Sequence, residues 1–224
     1  MAIDPHSPFL TATLAWSIFW TTYYVGGLFL DGLEDYKKSS RVSEARLWDT
    51  LRTNMGYTFC FQQILHVVCF IMGGTLLDPG NFAGRFIISV LITEVIFYYV
   101  HRLMHSSFLY RYHVQHHHFK EPRALSAMFC SPVEALLCNQ LSVSLGPLLT
   151  GMEFWEIAIW FTLSALNTLK AHSDLHFFTF SGRYHNLHHM RPTNNYGFLF
   201  VMDYLHGTME WPYKTFSTTL AQKN

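Results

Sequence analysis

HRLMH (His101–His105) followed by HVQHH (His113–His117), and HSDLH (His172–His176) followed by HNLHH (His185–His189), are the stretches on which the reading of this chain turns. Ten of its fourteen histidines fall in these four boxes. Each box has one of two spacings, HxxxH or HxxHH. On a helix, residues three or four apart share a face, so every box presents its imidazoles as a cluster. Neutral imidazole suits iron, zinc, copper and nickel, whereas magnesium and calcium call for oxygen ligands. Ten imidazoles exceed the coordination number of one ion, so the spacing predicts a nitrogen-rich site for two.

The rest of the composition places that site at a membrane. Half of the 224 residues are hydrophobic, 17% are aromatic and 13% are charged, against about 25% charged in an ordinary soluble domain. Fifteen basic and fifteen acidic residues balance, which removes the basic excess that a nucleic-acid partner would require. Cys60, Cys69, Cys130 and Cys138 form no CxxC pair and read as reduced structural residues. The opening MAIDPHSPFL lacks the positive region of a leader peptide, so the apolar run after it is expected to be a retained span.

Five apolar runs follow one another. Phe9–Leu30 has no charge, and its length of roughly 33 Å as a helix matches a hydrocarbon core of about 30 Å. Tyr57–Leu77 is broken only by Gln62, Gln63 and His66, and Gly84–Val100 only by Arg85 and Glu94, before the latter runs into HRLMH. Glu134–Leu149 and Phe154–Leu169 are short and read as a helical hairpin. His66 has no histidine partner at helical spacing and is expected to be a packing residue. Lys37, Lys38, Arg41, Arg46 and Arg52 fall in the segment that lies on the same side as the boxes, and the opposite side carries only Arg85 at an edge. By the positive-inside rule the boxes face the cytosol. The expectation is an all-α integral membrane protein with about four to five membrane-embedded helices and a cytosolic histidine-rich metal-binding region. One membrane-embedded domain over 1–224 is expected.

HRLMH, HVQHH and HNLHH, then NNYG (194–197) and DYLHGT (203–208), resemble the sterol desaturase and fatty acid hydroxylase superfamily, and the resemblance covers a core at 84–212. The resemblance implies a non-haem di-iron enzyme that hydroxylates or desaturates a membrane lipid with O2. Its cofactors would be two iron ions, with zinc an occupant of purified samples. Its electrons would come from an external donor such as cytochrome b5 and its NAD(P)H reductase, in the endoplasmic reticulum membrane if the source is eukaryotic. By the same carry-over His101, His105, His113, His116, His117, His172, His176, His185, His188 and His189 are the metal ligands. Asp174, Glu134, Asn195, Asp203 and His118 are candidates to support them, and His118 also extends HVQHH into an alternative register. No catalytic group beyond the ligands is expected.

Aromatic residues beside the boxes, Phe108, Tyr110, Tyr112, Phe119, Phe129, Phe177 and Phe178, are candidates to line the lipid's access. A histidine-rich metal transporter is the rival from another class. It should hold its ligands at the bilayer midplane, whereas these boxes flank the apolar runs. HRxxH and SPVE (131–134) lean toward a sterol substrate by resemblance, with a fatty acyl chain as the alternative.

Overall fold

Four long helices carry four of the five apolar runs. In the computed structural model, which describes residues 7–33, 42–173 and 181–211, every regular element is helical. Helix α1 (Pro8–Leu33) starts on a proline, whose fixed φ and missing N–H suit a first turn. Helix α2 (Glu44–Ile71) starts well before the apolar run at Tyr57, because the Ser43 hydroxyl accepts the Arg46 N–H and caps it. From Glu44 onward the polar stretch before Gly56 therefore forms the first turns of that helix. Helix α3 (Phe82–Met104) is capped by Asn81, whose Oδ1 accepts the Gly84 N–H at 2.8 Å. Helices α4 (Tyr110–His113) and α5 (Pro132–Glu134) are single turns. A π-helical segment (Ala135–Gln140) leads from α5 into α6 (Leu141–Thr150). Then come α7 (Phe154–Ala171), α8 (Ser181–Met190) and α9 (Val201–His206).

The faces of α2 and α3 are inverted relative to a helix in water. Buried on α3 are Arg85, Ser89, Thr93, Glu94 and His101, while Ile87, Leu91, Val95, Tyr99 and Leu103 are exposed. On α2 the buried row is Asn54, Thr58, Gln62 and His66, and Ile64, Val68, Phe70 and Ile71 point outward. A soluble amphipathic helix does the opposite. By length and composition α3 is the one described helix apolar enough to cross a membrane. The other runs fall short of that measure: α2 carries its polar row, and α6, ten residues long, spans only about 15 Å.

Packing is close where side chains are small. α3 lies on α6 and α1 on α7 and α2. At the first contact a Cβ on Gly146 would come within 2.9 Å of the Ser89 backbone, so glycine is what lets the two helices touch. Pro147 follows it inside α6 and cannot donate to the carbonyl of Val143. Trp160 takes that place, its indole N–H donating to Val143 O at 2.8 Å and tying α7 to α6. At the end remote from the boxes, Arg85 makes a bidentate pair with Glu156 at 2.9 and 2.7 Å.

α1 and α2 also grip the loop beneath the boxes. Tyr23 donates to Leu125 O and accepts from Met128 N, and Asn54 donates to Met128 O and Cys130 O. All four bonds are buried, so the 3₁₀ turn Ala124–Met128 is fixed against the bundle.

Candidate metal centre

Five short pieces of chain deliver the histidines to one place. His101 sits in the last turn of α3 and His105 is its C-cap; His113 ends α4; His116 and His117 lie in a 3₁₀ turn; His172 caps α7; and His185, His188 and His189 lie on α8. They form two groups in which every ligand atom lies within 4.8 Å of the others. His101, His105, His113, His117 and His188 make the first; His116, His172, His185 and His189 make the second. The groups do not follow the halves of the sequence. In each HxxHH box the first and last histidines stay together, and the middle one, His116 or His188, crosses to the other group.

The ring nitrogens are oriented by the backbone. The Nδ1–H of His101 donates to Tyr196 O at 2.7 Å, that of His188 to Asn194 O at 2.6 Å, that of His172 to Thr168 O at 3.0 Å and that of His189 to Phe119 O at 2.9 Å. A carbonyl only accepts, so Nδ1 carries the proton in each ring and Nε2 presents its lone pair inward. There the Nε2 atoms face one another: His101 to His113 at 3.1 Å, His113 to His117 at 3.0 Å, His105 to His188 at 3.1 Å, His172 to His116 at 3.2 Å and to His185 at 3.0 Å, and His185 to His189 at 3.2 Å. Two nitrogens at right angles about one ion, each about 2.1 Å from it, lie roughly 3.0 Å apart, against roughly 3.4 Å in a tetrahedron. The observed separations are near both values, so each group has the donor set and the spacing to hold one transition-metal ion.

Burial sets the electrostatics. His105, His113, His116, His117, His185, His188 and His189 all have pKa values held well below the ordinary range, first by desolvation and then by neighbouring imidazoles or other cations. His172 is lowered to about 4, chiefly by burial. The rings are neutral at physiological pH, the form that binds metal. Among the described residues one carboxyl group lies against both groups: Glu134 Oε2 is 2.9 Å from His113 Nδ1 and its Oε1 is 3.6 Å from His116 Nδ1. The first is a close contact rather than an aligned hydrogen bond, since both atoms lack one by geometry. SPVE is the reason Glu134 is there. Ser131 accepts the Glu134 N–H, Pro132 opens the turn, and the acid falls at its third position.

The C-terminal motifs act at one remove. Asp203 accepts the N–H groups of Tyr196 and Gly197 at 2.9 and 2.6 Å and the Thr208 hydroxyl at 2.7 Å. It thereby holds the loop whose Tyr196 carbonyl orients His101. Asn195, at φ 60°, donates to Tyr184 O and Glu210 O and accepts from Glu210 N. Glu94, which the sequence shows only as a break in an apolar run, is the other anchor. Its carboxylate reaches from inside α3 to the N–H groups of Phe198, Leu199 and Met202 at 3.1, 2.9 and 3.0 Å. A charge inside an apolar helix is the signal that could have found it. Gly197 lies between the two acids, where a Cβ would meet Glu94 Oε1 at 2.8 Å and Asp203 Oδ2 at 3.0 Å.

Other expected residues lie elsewhere. His118 is exposed, donates to Gln115 O and belongs to neither group, because it is one step further round the turn than His117. His66 is buried in α2, donating to Gln62 O. Asp174, His176, Phe177 and Phe178 lie outside the described residues. A cavity of about 190 Å³ opens onto the second group, with His172 and His185 in its wall. Its apolar lining comes from the long helices and the tail loop, including Phe86, Phe97, Trp160, Leu163 and Phe198. None of Phe108, Tyr110, Tyr112, Phe119 and Phe129 lines it; Phe119 and Phe129 are core residues and Phe108 is exposed.

Comparison with known proteins places the stretch that carries these histidines in a family. The fatty acid hydroxylase family model matches residues 86–208. A human fatty acid hydroxylase domain-containing protein 2 is 38% identical over 123 residues, 54% of this chain and 37% of its own length. Sphinganine C4-monooxygenase 2 of Arabidopsis thaliana is 30% identical over 63% of this chain and 62% of its own length. Methylsterol monooxygenase 2-2 of the same plant is 32% identical over 53% of this chain and 49% of its own length. The chain thus spans between about a third and three-fifths of these curated relatives. No solved structure matches it. The family match covers more than half of the sequence and all nine described histidines of the two groups, and the chain belongs to the fatty acid hydroxylase family of the sterol desaturase and fatty acid hydroxylase superfamily.

Proposed function

We propose that this protein is an integral membrane oxygenase that hydroxylates or desaturates a lipid, with a sterol as the favoured substrate. The observation that carries the reading is the meeting of a closed set of neutral imidazoles with an apolar cavity between membrane-type helices. The nine described histidines and His176, the sequence counterpart of His105, would hold two iron ions. Bound iron with O2 supplies the oxidising power that no side chain has.

The chain's own part is binding and orientation. α1, α2, α3 and the α6–α7 pair are embedded in the membrane, with their outward apolar faces against lipid and the histidines at the cytosolic surface. The cavity takes the lipid from the bilayer side and brings a carbon to the edge of the second group. The backbone carbonyls of Thr168, Phe119, Tyr196 and Asn194 keep the protons of His172, His189, His101 and His188 on Nδ1. Glu134 touches a ring of each group and resists separate movement of the two. Electrons come from an external carrier such as cytochrome b5 with its NAD(P)H reductase, and the endoplasmic reticulum is the expected membrane in a eukaryote.

Lipid profiling by mass spectrometry of a host expressing the wild type, set against a His188→Ala control, tests this. An added oxygen or a lost hydrogen pair on a sterol, absent in the control, is the expected result. A hydroxylated acyl chain with unchanged sterols would move the substrate to fatty acyl lipids. Identical profiles in both hosts, with metal bound, would favour a non-catalytic metal-binding protein.

A further inference from the structure

The cavity is not uniformly apolar. On α7, Ser164, Asn167 and Thr168 line it together with His172, and from the π-helical segment Asn139 lines it as well. Among the described residues the side chains of Ser164, Asn167 and Thr168 make no hydrogen bond, and Asn139 makes only a long contact of 3.8 Å to Cys130 Sγ. They differ from the other polar groups of the wall, since Thr93 is spent on Ser142 O and Gln140 on Gln62 and Ser144. Amides and hydroxyls set among aromatic rings are unfavourable unless something pairs with them.

Their position is as informative as their lack of partners. Asn167 and Thr168 are five and four residues before His172, so they lie about 7.5 and 6 Å back along α7, with Ser164 about 12 Å back. Ser164 and Asn167 are three apart and share a face. Each offers both a donor and an acceptor, the combination that matches a hydroxyl group. A plain hydrocarbon would leave all of them unpaired.

We infer that Asn167 and Ser164, with Asn139 of the same lining, bind a hydroxyl group of the substrate inside the cavity, so that the chain selects a lipid alcohol over an otherwise identical hydrocarbon. The inference rests on the lipid reading above only in taking the cavity's occupant to be a lipid. The alcohol determines which length of the molecule lies next to His172 and His185, and Asn167 is a specificity residue rather than a participant in the oxidation.

Retention of paired probes tests it without turnover. Purified holoprotein in nanodiscs is incubated with cholestanol against cholestane, and with 1-hexadecanol against hexadecane, and the lipid kept after washing is measured by mass spectrometry. The wild type should keep at least one alcohol more strongly than its hydrocarbon, and Asn167→Leu should cut retention of that alcohol about tenfold, near the upper range for one hydrogen bond. Hydrocarbon retention, bound metal and melting temperature should not change. Ser164→Ala, a smaller change on the same wall, should give a partial loss. A preference in the sterol pair or in the straight-chain pair identifies the source of the hydroxyl. Equal losses of alcohol and hydrocarbon, or an unchanged alcohol preference in both variants, would overturn the inference and leave these side chains to water. If the protein oxidises no lipid yet shows the preference, the binding site stands and the oxygenase reading falls.

Discussion

The two histidine groups are near copies in sequence and unlike in setting. The first, His101, His105, His113, His117 and His188, leans on the C-terminal segment, through the carbonyls of Tyr196 and Asn194. That segment is in turn pinned by Glu94 and Asp203. The second, His116, His172, His185 and His189, leans on α7 and the loop after the 3₁₀ turn, through Thr168 and Phe119, and among the described residues it alone supplies histidines to the cavity wall. Similar spacing therefore comes with unlike settings, one group against the C-terminal segment and the other at the wall of a cavity. What surrounds a ligand decides its work, as much as the ligand itself.

The hardest test of that division is ligand removal. His185→Ala and His113→Ala should each lower turnover at least about 100-fold, the upper range for damage around a metal ligand, while His66→Ala stays near wild type. Metal analysis should show each variant depleted. If both keep wild-type turnover, the oxygenase reading fails. If only His185→Ala loses lipid binding as well, the assignment of the cavity to the second group is sharpened.

Acid should act on both groups at once. In the unfolded chain these histidines titrate near 6.5, whereas burial holds them lower in the folded protein. The unfolded state therefore takes up more protons below about pH 6.5, and the chelator-treated protein should be most stable above that pH and lose stability steadily as pH falls further. Each such group contributes up to about 1.4 kcal/mol per pH unit. A melting temperature that does not change between about pH 7.5 and 5.5 would contradict the burial on which this rests.

Glu94→Gln separates the groups. It replaces an acceptor of three backbone N–H groups by an amide that can serve only part of them. A loss of about 1–3 kcal/mol is expected, with metal lost from the first group before the second. Equal loss from both would show that the tail supports the whole centre. The smallest effect is reserved for His118→Ala. That ring is exposed and outside both groups, and activity should stay within about twofold of wild type, the scale of an ordinary surface change. A large loss would place His118 in the centre after all.

The boxes were legible because ligand chemistry and helix spacing act over a few residues. HxxHH shows which imidazoles share a turn, and the first and last histidines of each box do meet in one group. The crossing of His116 and His188 was not legible, because it depends on how two distant turns face each other. Glu134 was legible as an acid near the site, and Ser131 and Pro132 explain its placement by local rules. Glu94 and Asn54 were not, since each acts on backbone groups more than seventy residues away. The cavity lining was not legible for a related reason. Nearness to a box in sequence does not set where a side chain packs, and Phe119 and Phe129 lie in the core while Phe86 and Trp160, remote in sequence, reach the cavity.

The exchange of one imidazole in each direction makes the centre a clasp. Cut between α6 and α7, the chain would give an N-terminal fragment with four members of the first group and one stray member of the second. The C-terminal fragment would hold His188 without its four companions. Neither piece could close a group by itself. Each would be made whole by the other, so the two fragments expressed together should assemble and load metal only as a pair.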